Sequence, residues 1–199
     1  MSQKVRIERA WRRITEWLGE NAPRHVEAIN PGIDEGLLDM AEEEMATAIP
    51  DELRVWLLLN NGSTAKDVLD GHVYKTHQDA SFLPGNRVFF DLCQIIHTYR
   101  DLLVPGTEWQ PRWIPFAQDS DASYGYFLDA GTDSDQAPVM YFAEASLPKF
   151  AFPSLADFLE ATADALEARA GIRAAGNRVL YAPAVESGIL RWEYAGLAP

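Results

Sequence analysis

Three strand-like runs, Trp109 to Ala117, Tyr124 to Asp129 and Pro138 to Ala143, follow one another with only Asp-, Ser- and Gly-containing turns between them. Runs separated by turns alone pair as an antiparallel meander. Helical periodicity lies on both sides of this block. Ile7, Trp11, Ile14 and Leu18 form one apolar stripe, with Arg9, Arg12 and Arg13 turned away to solvent and Gly19 as the stop. Asp34 can cap a second helix carrying Leu37, Leu38, Ala41 and Met45. Pro50 can open a third, with Leu53, Trp56 and Leu57 buried and Asn60-Asn61-Gly62 ending it. After a polar, irregular stretch from Ser63 to Asn86, Arg87 to Phe90 reads as a strand and Asp91 to Leu103 as a helix. Ser154, with Asp157 three residues on, caps a last helix that carries Leu155, Phe158, Leu159, Thr162 and Leu166 and ends at Gly171.

Helices, then strands, then a helix is the order of an α+β fold, and 199 residues suit one domain with elaborations. The expectation is a mainly antiparallel twisted sheet packed with several helices over residues 1–171. Residues 172–199 are expected as a C-terminal extension packed on that domain, with strand-like pieces at Arg178 to Tyr181 and Ile189 to Tyr194. Trp11, Trp56 and Trp113 sit in apolar stripes or strands and are expected in the core. Glu42, Glu43 and Glu44 fall in the last turn of their helix, where the macrodipole disfavours carboxylates, so helix stability alone does not select them.

Charge narrows the function. Seventeen Lys and Arg against thirty Asp and Glu give a net charge of −13, a surface that repels a phosphate backbone. The one basic cluster, Lys4, Arg6, Arg9, Arg12 and Arg13, has its own explanation as a helix face. A basic protein is the partner class that such a field steers and orients. The longest apolar runs, Val55 to Leu59 and Val139 to Ala143, are far shorter than the roughly twenty residues of a spanning helix. The charged N-terminus does not read as a secretory signal, so the expected compartment is the cytoplasm.

No catalytic chemistry finds an address. There is no G-x-S-x-G elbow and no Gly-rich phosphate loop. Cys93, the single cysteine, has only His97 nearby and forms no internal disulfide. Asp70, His72, His77 and Asp79 crowd one segment without the spacing of a metal site. Asp119 to Ser123 opens like a calcium loop but has Tyr124 where the turn glycine belongs and Ala130 where the bidentate Glu belongs. Among thirty carboxylates no spacing singles out an acid and a base, which leaves a glycan hydrolase as the weakest alternative. The expectation is no enzyme, no cofactor and no metal.

One succession of motifs is distinctive: W-x-x-I-x-x-W-L at Trp11 to Leu18, N-A-P at Asn21 to Pro23, P-G at Pro31 and Gly32, A-E at Ala41 and Glu42, I-P-D-E-L-R at Ile49 to Arg54, and N-G at Asn61 and Gly62. It continues through W-x-P-x-W-I-P-F-A at Trp109 to Ala117 and G-Y-F-L-D at Gly125 to Asp129, to S-L-x-D-F-L at Ser154 to Leu159. The order resembles the SUKH superfamily, in particular its Smi/Knr branch of cell-wall assembly regulators, from about Trp11 to Leu166. The resemblance implies a binding module without catalytic machinery. Its bacterial members are cytoplasmic immunity proteins that neutralise toxins, many of them nucleases, and its fungal members are scaffolds of cell-wall signalling. The chain departs from the family pattern at Asp119 to Ser123, where relatives often carry a Gly-rich turn, and at Ser134 to Pro138.

Residues and resemblance converge on one stretch. From Trp113 through Pro148 there are six acidic residues and no basic one. A protein-binding face made of Asp119, Asp121, Tyr124, Tyr126, Asp133 and Asp135 is therefore expected, with a basic toxin domain as its partner.

Overall fold

The computed structural model of the chain describes residues 1–64, 67–69, 72–74, 77–119, 124–131, 136–143, 146–173 and 179–198. The chain opens with α1 (Gln3–Asn21), α2 (Pro23–Ala28), β1 (Ile29–Pro31), α3 (Glu35–Met45), α4 (Asp51–Leu59) and β2 (Asn60–Ser63). The middle holds β3 (Asp67–Leu69), β4 (His72–Tyr74), α5 (His77–Ala80), β5 (Val88–Phe89) and α6 (Leu92–Leu102). Then come β6 (Trp113–Gln118), β7 (Gly125–Asp129), β8 (Val139–Ala143), β9 (Ser146–Phe152), α7 (Leu155–Ala168), β10 (Ile172–Arg173), β11 (Val179–Glu186) and β12 (Ile189–Leu197). The main sheet runs β5-β6-β7-β8-β9 with every neighbouring pair antiparallel, so the fold is α+β.

Short polar side chains start the helices where their spacing predicts. Asp34 accepts from the Leu37 amide at 3.1 Å, and Ser154 from that of Asp157 at 3.1 Å. Asp91 and Gln94 form a reciprocal capping box on α6, at 2.8 and 3.0 Å. Gly19 does not stop α1, which continues to Asn21. Nothing packs on that glycine to demand a turn, and the Ala22 amide still reaches Leu18 O at 2.8 Å.

Pro115 lies inside a central strand, where it has no amide to donate, and the β6–β7 register shifts between Pro115 and Ala117. The bulge lets Ile114, Phe116 and Ala117 all be buried. Beneath them Trp56 stacks on Phe89 with ring centroids 3.6 Å apart and meets Trp11 at 5.7 Å. Asn60-Asn61-Gly62 does more than end α4. Asn61 Oδ1 accepts from the Leu92 amide at 2.8 Å. Gly62, at φ +72°, comes so close to the next segment that a Cβ there would sit 2.3 Å from the Asp91 nitrogen.

The arginines of α1 are not simply a solvated face. Helices α1 and α7 lie side by side, and Arg6 pairs with Asp157 and Glu160 while Arg13 pairs with Asp164 and Glu167. These pairs hold Glu160 and Glu167 below the usual carboxylate range. Two of the three acids at the end of α3 are accounted for as well. Glu42 accepts from the Ile49 amide at 2.8 Å and pairs with Arg54 at 3.0 Å, and Glu44 pairs with Arg100 at 2.7 Å.

Strands β10, β11 and β12 form a separate antiparallel sheet after α7. Trp192 is buried, and its indole donates to Phe82 O at 2.9 Å. Asn86 clamps the backbone of Trp192 from both sides, at 3.0 and 2.8 Å. The Leu190 amide donates to Nε2 of the buried His25 at 2.8 Å, and burial lowers that imidazole's pKa. Among the described residues no helix is long and apolar enough to cross a membrane.

Candidate protein-binding surface

Directly opposed residues in an antiparallel sheet point to the same face. Ile114, Leu128 and Val139 share the face that enters the main core. Pro115, Phe127, Met140 and Phe150 are successive partners on the other face. Phe127 and Phe142 are buried, yet both lie outside the core that the helices build. Their cover is Trp109, from the loop between α6 and β6, at 5.0 Å from Phe127, 5.3 Å from Phe142 and 5.4 Å from Trp113. A hydrogen bond from Trp109 Nε1 to Trp113 O, 3.0 Å, fixes that indole. Trp113 is therefore a half-buried member of the outer face, not a core residue. The adjoining edge strand β9 leaves Leu147 73% and Phe150 56% exposed.

Of the expected acidic face the structure describes Asp119, Tyr124 and Tyr126. Asp119 and Tyr124 close the β6–β7 connection, with the Asp119 amide on Tyr124 O at 2.9 Å. Asp121, Asp133 and Asp135 lie outside the described residues. Tyr124 is 37% exposed, but Tyr126 is fully buried. Residues 124 and 126 share a strand face, and for Tyr126 that face is the core, where its ring meets Phe158 at 5.1 Å. Tyr126 offers no surface to a partner.

What lies at Tyr126 is a buried cation. Arg87 is 4% exposed and reaches the phenol oxygen at 3.4 Å. Its guanidinium also lies over the Tyr126 and Tyr141 rings, 4.8 and 5.2 Å from their centroids. Burial raises the pKa of both phenols, so they are neutral at physiological pH. In the sequence Arg87 is only the first residue of a strand, and no local pattern marks it as buried.

A second buried ionisable group sits where α4 meets α7. Glu52 is 1% exposed. Its Oε2 accepts from the first amides of α7, Leu155 at 2.6 Å and Ala156 at 3.4 Å, and Oε1 has no partner. Desolvation lifts the carboxyl to about 6 against the pull of those amides. An acid in a first helical turn is usually solvated, so the sequence gives no sign of this role. Among the described residues no three His, Cys, Asp or Glu side chains gather into a metal-ligating group. The His72 and His77 side chains, with Asp70, lie outside the described residues.

With the order α3, α4, antiparallel meander, α7 established, comparison with protein families is decisive. The model of the SMI1 / KNR4 family (SUKH-1) matches residues 32–161. The chain belongs to the SMI1/KNR4 family. The match is narrower at both ends than the motif resemblance, which runs from Trp11 to Leu166. It takes in α3, α4, the five-stranded sheet and the first half of α7, and leaves α1 and the three-stranded C-terminal sheet outside. A search of curated proteins finds no match.

Proposed function

We propose that this SMI1/KNR4 chain is a non-enzymatic binding module of the immunity type, which neutralises a basic toxin domain by covering it with the outer face of the sheet. One observation carries the reading: Trp109 and Trp113, in T-shaped contact at 5.4 Å, lie half-buried as the last layer over an apolar sheet face. Most of that face comes from a stretch, residues 113–148, that has six acids and no basic residue. Tryptophan is the residue type most enriched among binding hot spots, and the acids around it steer a cationic partner. The aromatic pair then governs how slowly the complex separates, and the carboxylates how fast it forms.

The test starts by capturing the partner from the native cells with the tagged chain. The captured protein is then produced alone and together with this chain. Growth arrest by the partner alone, relieved by co-expression of the wild type but not of the Trp109→Ala/Trp113→Ala double variant, is the expected result. Changing Asp119, Asp121, Asp133 and Asp135 to Asn should slow association and flatten its salt dependence while leaving the melting temperature in place. A partner that binds without arresting growth points instead to the cytoplasmic scaffold role of the cell-wall type. A partner indifferent to both sets of substitutions rules this face out.

A further inference from the structure

Arg87 ends a tight loop, Leu83 to Arg87, whose two end residues exchange backbone hydrogen bonds of 3.2 Å. The guanidinium folds back beneath that loop, where Nη1 donates to Pro84 O at 2.8 Å. Gly85 makes room for it: the residue has φ +78°, and a Cβ there would fall 1.9 Å from Nη1. The side chain's hydrogen bonds to Pro84 and to Tyr126 both leave from Nη1, Tyr141 bonds the guanidinium as well, and Nε is buried with no partner among the described residues.

Other arginines differ in one respect. Arg6, Arg13, Arg54 and Arg112, all more exposed, each hold at least one carboxylate within 3.0 Å. No carboxylate among the described residues pairs with Arg87, the most deeply buried arginine of this group. A guanidinium does not shed its proton, and a buried charge is costly unless an opposite charge or full hydrogen bonding meets it. Two aromatic faces supply only part of that compensation.

We propose that Arg87 and the tyrosines around it form a receptor for a single oxyanion, a carboxylate or phosphate group presented by a ligand. With Nη1 committed to the loop, the Nε edge of the guanidinium is the one turned to the ligand, and that edge matches two oxygens of such a group. Tyr141 adds a neutral phenol donor. Tyr124 and Tyr181 lie within electrostatic reach of Tyr141. These phenols grade from half-buried Tyr141 and Tyr181 to exposed Tyr124, which marks the side from which the anion enters. Tyr181 belongs to β11, outside the family match, so the C-terminal sheet acquires a function here: it completes the receptor, and Asn86, next to Arg87, ties that sheet down. The site is on the helical side of the main sheet and stands independently of the outer face.

The test is a nuclear magnetic resonance titration of the full chain that follows the Arg87 Nε–H signal. Sodium acetate and sodium phosphate are added separately, each against sodium chloride at equal ionic strength. A saturable shift with acetate or phosphate and none with chloride is expected, and the anion that saturates at lower concentration separates a carboxylate from a phosphate ligand. Tyr181→Phe should weaken the apparent affinity about 2- to 10-fold, the worth of one net hydrogen bond, without lowering the melting temperature. Arg87→Lys, which keeps the charge but loses the fork, should abolish saturation. If that variant does not fold, the wild-type and Tyr181→Phe titrations still decide. A signal unmoved by both anions, or moved equally by chloride, overturns the proposal. Equal affinity in the Tyr181→Phe chain removes the C-terminal sheet from it.

Discussion

The two faces of the five-stranded sheet are both aromatic and are closed in different ways. On the inner face Phe116, Tyr126 and Leu128 are fully buried beneath helices that carry Trp11, Trp56 and Phe158. On the outer face Phe127 and Phe142 are covered by a loop tryptophan that is itself only partly buried. A ring sealed by several elements resists removal through packing on every side, whereas a ring that forms the last layer of a face can be lost with less repacking. The inner face thus carries the fold. The outer face keeps large rings at the surface, which folding alone does not require.

Truncation of one tryptophan from each face gives the widest contrast. Trp56→Ala removes an indole stacked at 3.6 Å on Phe89, and should cost about 3 to 5 kcal/mol in urea unfolding. Trp109→Ala should cost about 1 to 2 kcal/mol, the scale of a few edge contacts between rings. Equal losses at the two positions would erase the distinction between the faces.

Glu52 probes the helical side through pH. Its folded-state value of about 6 lies above the ordinary 4.5, so the folded chain binds the proton more tightly than the unfolded one. Stability is then greatest below about 4.5, falls as pH rises between the two values, and is flat in this respect above 6. The difference amounts to about 2 kcal/mol over the window. Glu52→Gln removes the titration, so the gap between variant and wild type should change by that amount between pH 4.5 and 7. A gap that stays constant would place Glu52 in a better solvated site than its burial indicates. Glu160 and Glu167 act in the opposite sense. Their depressed values give stability that is present above the unfolded pKa and lost as pH falls through the folded one, which lies below the window.

How far the sequence could be read follows the same division. Capping residues and apolar stripes are local, so α3, α4, α6 and α7 and the meander β6 to β8 were legible within a residue or a few. Strand β9 was not, because Pro148 and Lys149 interrupt its alternation and it is an edge with little burial to enforce a pattern. The hydrogen-bond partners that hold β12 to the domain, His25, Phe82 and Asn86, are far away in sequence. The expected binding residues show the limit most clearly. Acidic content located a region, but the face that Tyr126 points to depends on strand register and helix placement, and those put it in the core.

The smallest effect is expected at the seam that seals the helical layer from solvent. Arg13 holds Glu167 at 2.6 Å and Asp164 at 2.7 Å, short distances that invite a large estimate of their worth. The acids, however, are 46% and 70% exposed, and pairs in such settings contribute about 1 kcal/mol or less once water and side-chain entropy are counted. Beneath them Ile7, Ala10, Ile14, Phe158, Leu159 and Leu166 are fully buried, and that apolar contact needs no charge. Arg13→Gln should therefore lower stability by no more than about 1 kcal/mol at low salt, and the difference should shrink at high salt as screening weakens the wild-type pairs. Urea unfolding of both chains at two salt concentrations measures it. A loss above about 2 kcal/mol that ignores salt would mean that the arginine seam, rather than the stripe under it, holds α1 to α7.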